Sequence, residues 1–268
     1  MSFYSGGVDS IFNIAGRRAD KLSEIDYLVA VWGMDIKLEN EALWNTTKTM
    51  LIDAIPNESA STFLPVKTNS RDFQRDVRWT DMGFGPMLGA ITNFLSKGAR
   101  FSIIGSYGLY DDLQPHASGP LVDRLYSSSH ISVVHYSPRF NRFNKVKYIS
   151  EYAPEYLKNL RVCWLNTGNK YNCGECEKCL RTKMDIHILG LNDSVVSFGK
   201  FDMEKDARKV IGQIPGSNSY TLEFWKNSLR LCKEKSIRRI LAVAVLRGTL
   251  ARQWHLCKQL IKVVVRHK

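Results

Sequence analysis

The chain has 268 residues, 44% of them hydrophobic, with 38 Lys and Arg against 26 Asp and Glu for a net charge of +12. That is apolar enough for one sizeable domain plus a smaller appendage. Six cysteines without a charged-then-apolar leader argue against a secreted disulfide scaffold, and the longest apolar run near the end, Leu241 to Leu246, is too short to span a bilayer. The expectation is a soluble, cytoplasmic protein with no transmembrane segment.

In chain order, the short apolar start leads at once into Ser5-Gly6-Gly7-Val8-Asp9-Ser10, and a helical pattern follows over about Val8 to Ala19. Strand, glycine turn and helix is the geometry that aims backbone N–H groups at an anion. Gly6 and Gly7 let phosphate approach the main chain and allow positive φ. Ser5 and Ser10 add hydroxyl donors. Asp9 suits the helix dipole and could hold Mg²⁺. As a side chain facing ligand, it should be removable with little effect on melting.

Beyond it, Tyr27 to Trp32 reads as a buried strand, about Asn40 to Ala54 as a helix, and Thr62 to Val66 as a strand. Gly83 to Lys97 reads as a helix, Phe101 to Gly105 and His130 to His135 as strands, and Phe143 to Tyr152 as a helix. The alternation predicts an α/β fold with a doubly wound parallel sheet, whose ligands sit at the carboxyl ends of the strands. Ser5 to Ser10, Trp32-Gly33 and Gly105-Ser106 then share one edge. Two loops are candidates for substrate contact: Arg78 to Pro86, with Trp79, Asp81, Gly83, Gly85 and Pro86, and Ser106 to Arg124, with Tyr107, Asp111, Asp112, His116, Ser118, Asp123 and Arg124.

The second strong pattern is Cys163 followed by Cys173, Cys176 and Cys179, a C-x9-C-x2-C-x2-C spacing. Four thiolates can close a tetrahedral Zn²⁺ site with no position left for water, which makes the metal structural. Ferredoxin-type clusters continue with a fourth cysteine after three residues, where this chain has Lys183.

The Ser5 to Ser10 stretch resembles the PP-loop of the N-type ATP pyrophosphatases, Ser-Gly-Gly-x-Asp-Ser after a first strand. With the cysteine spacing, residues 3 to 190 are similar to 7-cyano-7-deazaguanine synthase and its relatives. The resemblance implies an adenine nucleotide alpha-hydrolase-like fold, ATP gripped by Ser5, Gly6, Gly7, Asp9 and Ser10, and catalytic roles for Asp9 and Ser10. It also implies adenine held near Trp32, Gly105 as a further ATP-binding residue, Mg²⁺, and zinc on Cys163, Cys173, Cys176 and Cys179. The reaction it implies is AMP-forming activation of a carboxylate or carbonyl oxygen, followed by nitrogen transfer in a ligase-like enzyme. The family's substrate-loop Pro-Gly-Arg-Asn is replaced here by Thr80-Asp81-Met82-Gly83. Macromolecule modification, including tRNA thiolation, and non-catalytic nucleotide binding in an assembly are the alternative readings.

The expected layout is a PP-loop domain over 1–160, a four-cysteine segment over 161–190 and a basic helical extension over 191–268. From Leu229 to Lys268 there are eleven Lys and Arg against one acid, Glu234, so that segment carries +10 and the rest of the chain +2. Ile237, Leu241, Ala244, Val245, Leu250, Trp254, Leu260 and Ile261 recur at helical spacing between those charges. A basic helix of this kind can dock on the sheet domain, bind RNA or DNA, or coat an anionic membrane surface. Arg238, Arg239, Arg247, Arg252, Lys258, Lys262 and Arg266 favour an acidic partner. The acceptor, small molecule or macromolecule, is left open, and a homodimer is compatible with the sequence.

Overall fold

The computed structural model describes residues 1–110, 116–217 and 219–266, with backbone alone for 219 and 262–266. The chain divides into two compact units, Met1–Asn172 and Cys173–Lys268.

The first unit is built on five parallel strands in the order β3-β2-β1-β4-β5: β1 Ser2–Phe3, β2 Tyr27–Trp32, β3 Thr62–Lys67, β4 Phe101–Gly105 and β5 Ser132–Tyr136. Phe3 pairs with Val29 and Ser2 with Ile103, so β1 lies between β2 and β4 although it is only two residues long. The helices are α1 Val8–Ala19, α2 Glu41–Asp53, α3 Phe84–Phe94 and α4 Arg142–Tyr152.

Alternation along β1 assigns the faces. Phe3 points into a cluster with Met87 and Ile91 of α3, Val29, Val31, Leu64 and Val66. Ser2 and Tyr4 point the other way. Ser2 Oγ accepts from Asn13 Nδ2 of α1 at 2.9 Å, and Tyr4 donates to the carbonyl of Leu51 in α2 at 3.3 Å. Helices therefore cover both faces, as parallel sheets require. The expected α/β architecture with a five-stranded parallel sheet is present.

The Arg78 to Pro86 stretch is not a loop. Trp79–Gly83 is a π-helical turn that runs straight into α3. Gly85 lies inside that helix because a Cβ there would sit 1.6 Å from the Ala117 carbonyl oxygen. Tyr126 also packs closely on Gly89, 2.7 Å from the missing Cβ. These glycines serve close packing rather than turns.

The second unit is helical: α5 Glu177–Ile188, α6 Met203–Val210, α7 Ser219–Leu231 and α8 Lys235–Arg266. Its core joins Leu180, Met184, Ala207, Val210, Trp225, Ile237 and Leu241. Lys183 and Asp206 form a buried ion pair inside it. Trp225 is fully buried, and its indole N–H donates to Glu177 Oε1 at 2.9 Å, which satisfies the one polar group the ring brings inside. Among the described residues, no helix is long and apolar enough to cross a membrane.

Trp225→Ala should therefore lower the stability of the helical unit by about 3–5 kcal/mol, through lost burial and the cavity left behind. Urea unfolding followed by circular dichroism measures it, and a loss below about 1 kcal/mol would show that the ring is not central to this core.

Candidate functional site

The loop between β1 and α1 lies at the carboxyl edge of the sheet. Gly6 has φ +72°, the left-handed region, and Gly7 is the N-cap of α1 with no side chain to cap it. Ser5 is exposed and Gly6 is buried. Ser10 Oγ donates to the Gly7 carbonyl at 2.9 Å and lies 3.4 Å from Ser5 Oγ, so both hydroxyls stand at the mouth of the helix. The left-handed φ by itself favours glycine at position 6, and a Cβ there would also meet Leu51 Cδ2 at 2.6 Å, so that side chain would have to shift.

Gly105 ends β4 against this loop. A Cβ on it would lie 2.6 Å from the Asp9 carbonyl oxygen and 3.1 Å from Asn13 Oδ1. Only glycine lets the strand end approach the first turn of α1 so closely.

Asp9, the carboxylate expected to face ligand or Mg²⁺, has cation partners within the protein. Its Oδ1 accepts from Lys145 Nζ at 2.7 Å, and Arg142 Nη1 is 3.8 Å from Oδ2. Lys145 is 1% exposed and also donates to the Ser106 carbonyl. The carboxylate thus has an ammonium partner on Oδ1, while 30% of the Asp9 side chain stays exposed at the loop. Asp9 and Lys145 are one unit of structure, so Asp9 is not removable at no cost.

A third cation, Arg161, adjoins the turn. Its backbone N–H donates to the Gly6 carbonyl at 2.8 Å, and Nη2 donates to Asn166 Oδ1 at 2.8 Å. Arg161 is buried, and its Nε has no hydrogen-bond partner among the described residues. Lys145, Arg142 and Arg161 therefore place three cations against one carboxylate around a helix N-terminus, which is an environment suited to an anion.

Trp32 stacks on Trp44 with ring centroids 5.6 Å apart and planes at 4°, and Lys67 Nζ lies 4.6 Å above the ring. The Trp32 carbonyl accepts from Thr68 N at 2.9 Å and Gly33 N donates to the Ile36 carbonyl at 3.1 Å. The main chain expected to hold adenine is thus partly engaged within the protein.

In the Ser106 to Arg124 stretch, Asp111 and Asp112 lie outside the described residues. His116 stacks on Tyr107 with centroids 3.8 Å apart, and burial holds its pKa below the usual imidazole value despite the Ser118 carbonyl on Nδ1. Asp123 is fully buried and accepts from Ser118 Oγ at 2.8 Å, from Gly119 N at 3.0 Å and from His135 Nδ1 at 2.7 Å. These bonds make Asp123 a structural anchor of the loop. Arg124 is exposed.

The four cysteines converge. The sulfurs of Cys163, Cys173, Cys176 and Cys179 all lie within 4.8 Å of one another, and the group could hold a metal ion. A tetrahedral ion with metal–sulfur bonds of about 2.3 Å sets its sulfurs about 3.8 Å apart. Cys173 and Cys179 are 3.8 Å apart. Gly174, at φ +73°, turns the chain so that the N–H groups of Glu175 and Cys176 point at Cys173 Sγ, at 3.5 and 3.3 Å. Asn172 Oδ1 accepts from Val162 N at 2.9 Å and Cys163 N at 3.2 Å, which fixes the first cysteine of the set. Cys232 and Cys257 stand outside the group, the former with its thiol pKa raised by burial.

A cleft of about 740 Å³ opens at the opposite, amino-terminal edge of the sheet, between Met1, Arg17, Asp26, Arg100 and His130. It lies away from the carboxyl edge, where ligands of open parallel sheets bind. Sequence reasoning missed Lys145, Arg142 and Arg161, whose only sequence signal was a run of cations on an otherwise ordinary helix and loop. No protein-family model, no curated protein and no solved structure matches this chain.

Two outcomes follow from this geometry. Asp9→Ala should cost on the order of 3 kcal/mol by stranding the buried Lys145 ammonium, and pairing it with Lys145→Met should recover part of that loss. A urea midpoint for Asp9→Ala equal to that of the unaltered chain would show that the pair holds nothing together. The purified chain should carry one zinc by elemental analysis, and Cys176→Ser should lose it and melt earlier. A brown, iron-containing protein would assign the thiolates to an iron–sulfur cluster instead.

Proposed function

We propose that this chain binds ATP over Ser5 to Ser10 and cleaves it to AMP and pyrophosphate while activating a carboxylate or carbonyl oxygen of an acceptor. The observation that carries this reading is the meeting of an uncapped helix N-terminus and two hydroxyls with three buried cations at the carboxyl edge of a parallel sheet. The resemblance of the loop to the PP-loop of ATP pyrophosphatases supports the choice of nucleotide.

In this mechanism the acceptor oxygen attacks the α-phosphorus, the new O–P bond forms, and the bond to the β-phosphate oxygen breaks. Pyrophosphate leaves with the electron pair. The growing negative charge meets the N–H groups of the first turn of α1 and the hydroxyls of Ser5 and Ser10. Lys145 and Arg142 do not touch the acceptor. They hold Asp9 and the Ser106 carbonyl in place and bias the local field towards anions. A nitrogen nucleophile then attacks the activated carbon and AMP departs. No side chain need bond covalently to phosphorus.

The zinc we assign to the four cysteines is structural, because four thiolates fill its coordination. Sulfur transfer is less well supported, since Cys232 is buried with a raised pKa and Cys257 is the one exposed cysteine outside the cluster. Nucleotide binding without turnover is the second reading, favoured by the Lys145 ammonium already bonded to one oxygen of the carboxylate expected to hold Mg²⁺.

Phosphorus NMR of ATP incubated with the chain and a metabolite extract, with and without tRNA, separates these readings. Adenylation yields AMP and pyrophosphate, and Ser10→Ala should slow it by about 10²-fold or more. ADP and phosphate as the only products would refute the pyrophosphatase reading. Tight ATP binding with no product in any mixture would establish the non-catalytic one.

A further inference from the structure

Helix α8 has two apolar faces. With about 100° between successive residues, Ile237, Leu241, Ala244 and Gly248 share one side, and that side is packed. The first three are buried, and a Cβ on Gly248 would meet Ile214 Cγ2 at 2.7 Å. The same side makes its last described anchoring bond at Arg252, whose Nη1 donates to the Gly216 carbonyl at 3.2 Å.

Val243, Leu246, Leu250, Trp254, Cys257 and Ile261 follow one another at steps of three and four on nearly the opposite side. All six are exposed, Leu250 at 56% and Trp254 at 63%. The stripe runs about 27 Å along the helix. Arg247 and Lys258 border it, and from Lys235 to the end of the sequence there are nine Lys and Arg and no acid.

We infer that this face lies on an anionic membrane surface, with the stripe buried at the boundary between headgroups and acyl chains and the flanking cations among lipid phosphates. An aliphatic stripe edged with cations and carrying a tryptophan is the composition of an interfacial helix. Each cation near such a surface adds attraction to the burial of the stripe. Nucleic acid fits less well. A phosphate backbone is met by cations and hydroxyls, and Val243, Leu246, Leu250 and Ile261 would find no partner on it. A second copy fits less well too, since a paired helix would set cations against cations with no acid to match them. The helix does not insert across the bilayer, because its apolar residues are interrupted by Arg247, Arg252 and Lys258.

The test uses the full chain and vesicles of equal parts phosphatidylcholine and phosphatidylglycerol, with phosphatidylcholine alone as the reference. Co-sedimentation should be strong on the mixed vesicles, fall with added salt, and be weak on the reference. The double variant Leu250→Ser with Trp254→Ser keeps every charge and changes only exposed positions, so it should fold as the parent does. Its vesicle affinity should drop at least about tenfold. No binding of the parent to the mixed vesicles, or undiminished binding of the double variant, overturns the inference. So does binding to duplex RNA in preference to vesicles, or a parent dimer that the two substitutions dissociate.

Discussion

The first unit depends on one buried ammonium. Lys145 Nζ reaches from α4 to Asp9 in the first turn of α1 and to the Ser106 carbonyl just past the end of β4. Taking an ammonium out of water costs several kcal/mol unless acceptors replace its hydration, and here a carboxylate and a carbonyl do so. The arrangement joins three elements at the edge where the glycine turn sits. Gly105 is part of the same device, because any side chain there would hold β4 away from α1. A two-residue β1 suffices at the centre of the sheet because these contacts, and the Tyr4 bond to α2, fix its exit.

The alternation of strands and helices was legible from sequence because short apolar runs such as Tyr27–Trp32 and Phe101–Gly105 are bounded by polar helices with one apolar stripe. The four cysteines were legible because their beat of three places the last sulfurs together whatever the surrounding fold. The cations were not legible. Lys145 stands in an amphipathic stretch, where lysine ordinarily reads as a solvated position, and only the tertiary placement of α4 against α1 buries it. The Arg78 to Pro86 segment misled for a related reason. Gly83, Gly85 and Pro86 signal a turn locally, yet Gly85 is demanded by the Ala117 backbone, more than thirty residues away.

Helix α8 shows a different limit. One continuous helical pattern was visible, but the periodicity of a sequence does not say which of two apolar faces is packed. Ile237, Leu241 and Ala244 found a core with Trp225, and the second stripe was left in solvent. The like charges that should weaken such a helix are tolerated in its first half because packing supplies the stability that helix propensity alone does not.

Glycines alone do not distinguish a nucleotide loop from a tight connection. Gly85 and Gly105 are required by close backbone contacts inside the protein, and Gly6 by its left-handed φ. What separates the β1–α1 loop from an ordinary crossover is the charge beneath it. A buried lysine bonded to a carboxylate adds little net stability compared with an apolar pair of the same volume, so packing does not explain its presence there. Local departures from the most stable choice gather where a structure serves something other than folding. An arginine beside the same turn, whose buried Nε has no partner among the described residues, is a second such departure. The two together, rather than the glycines, give the loop its claim to an anionic substrate.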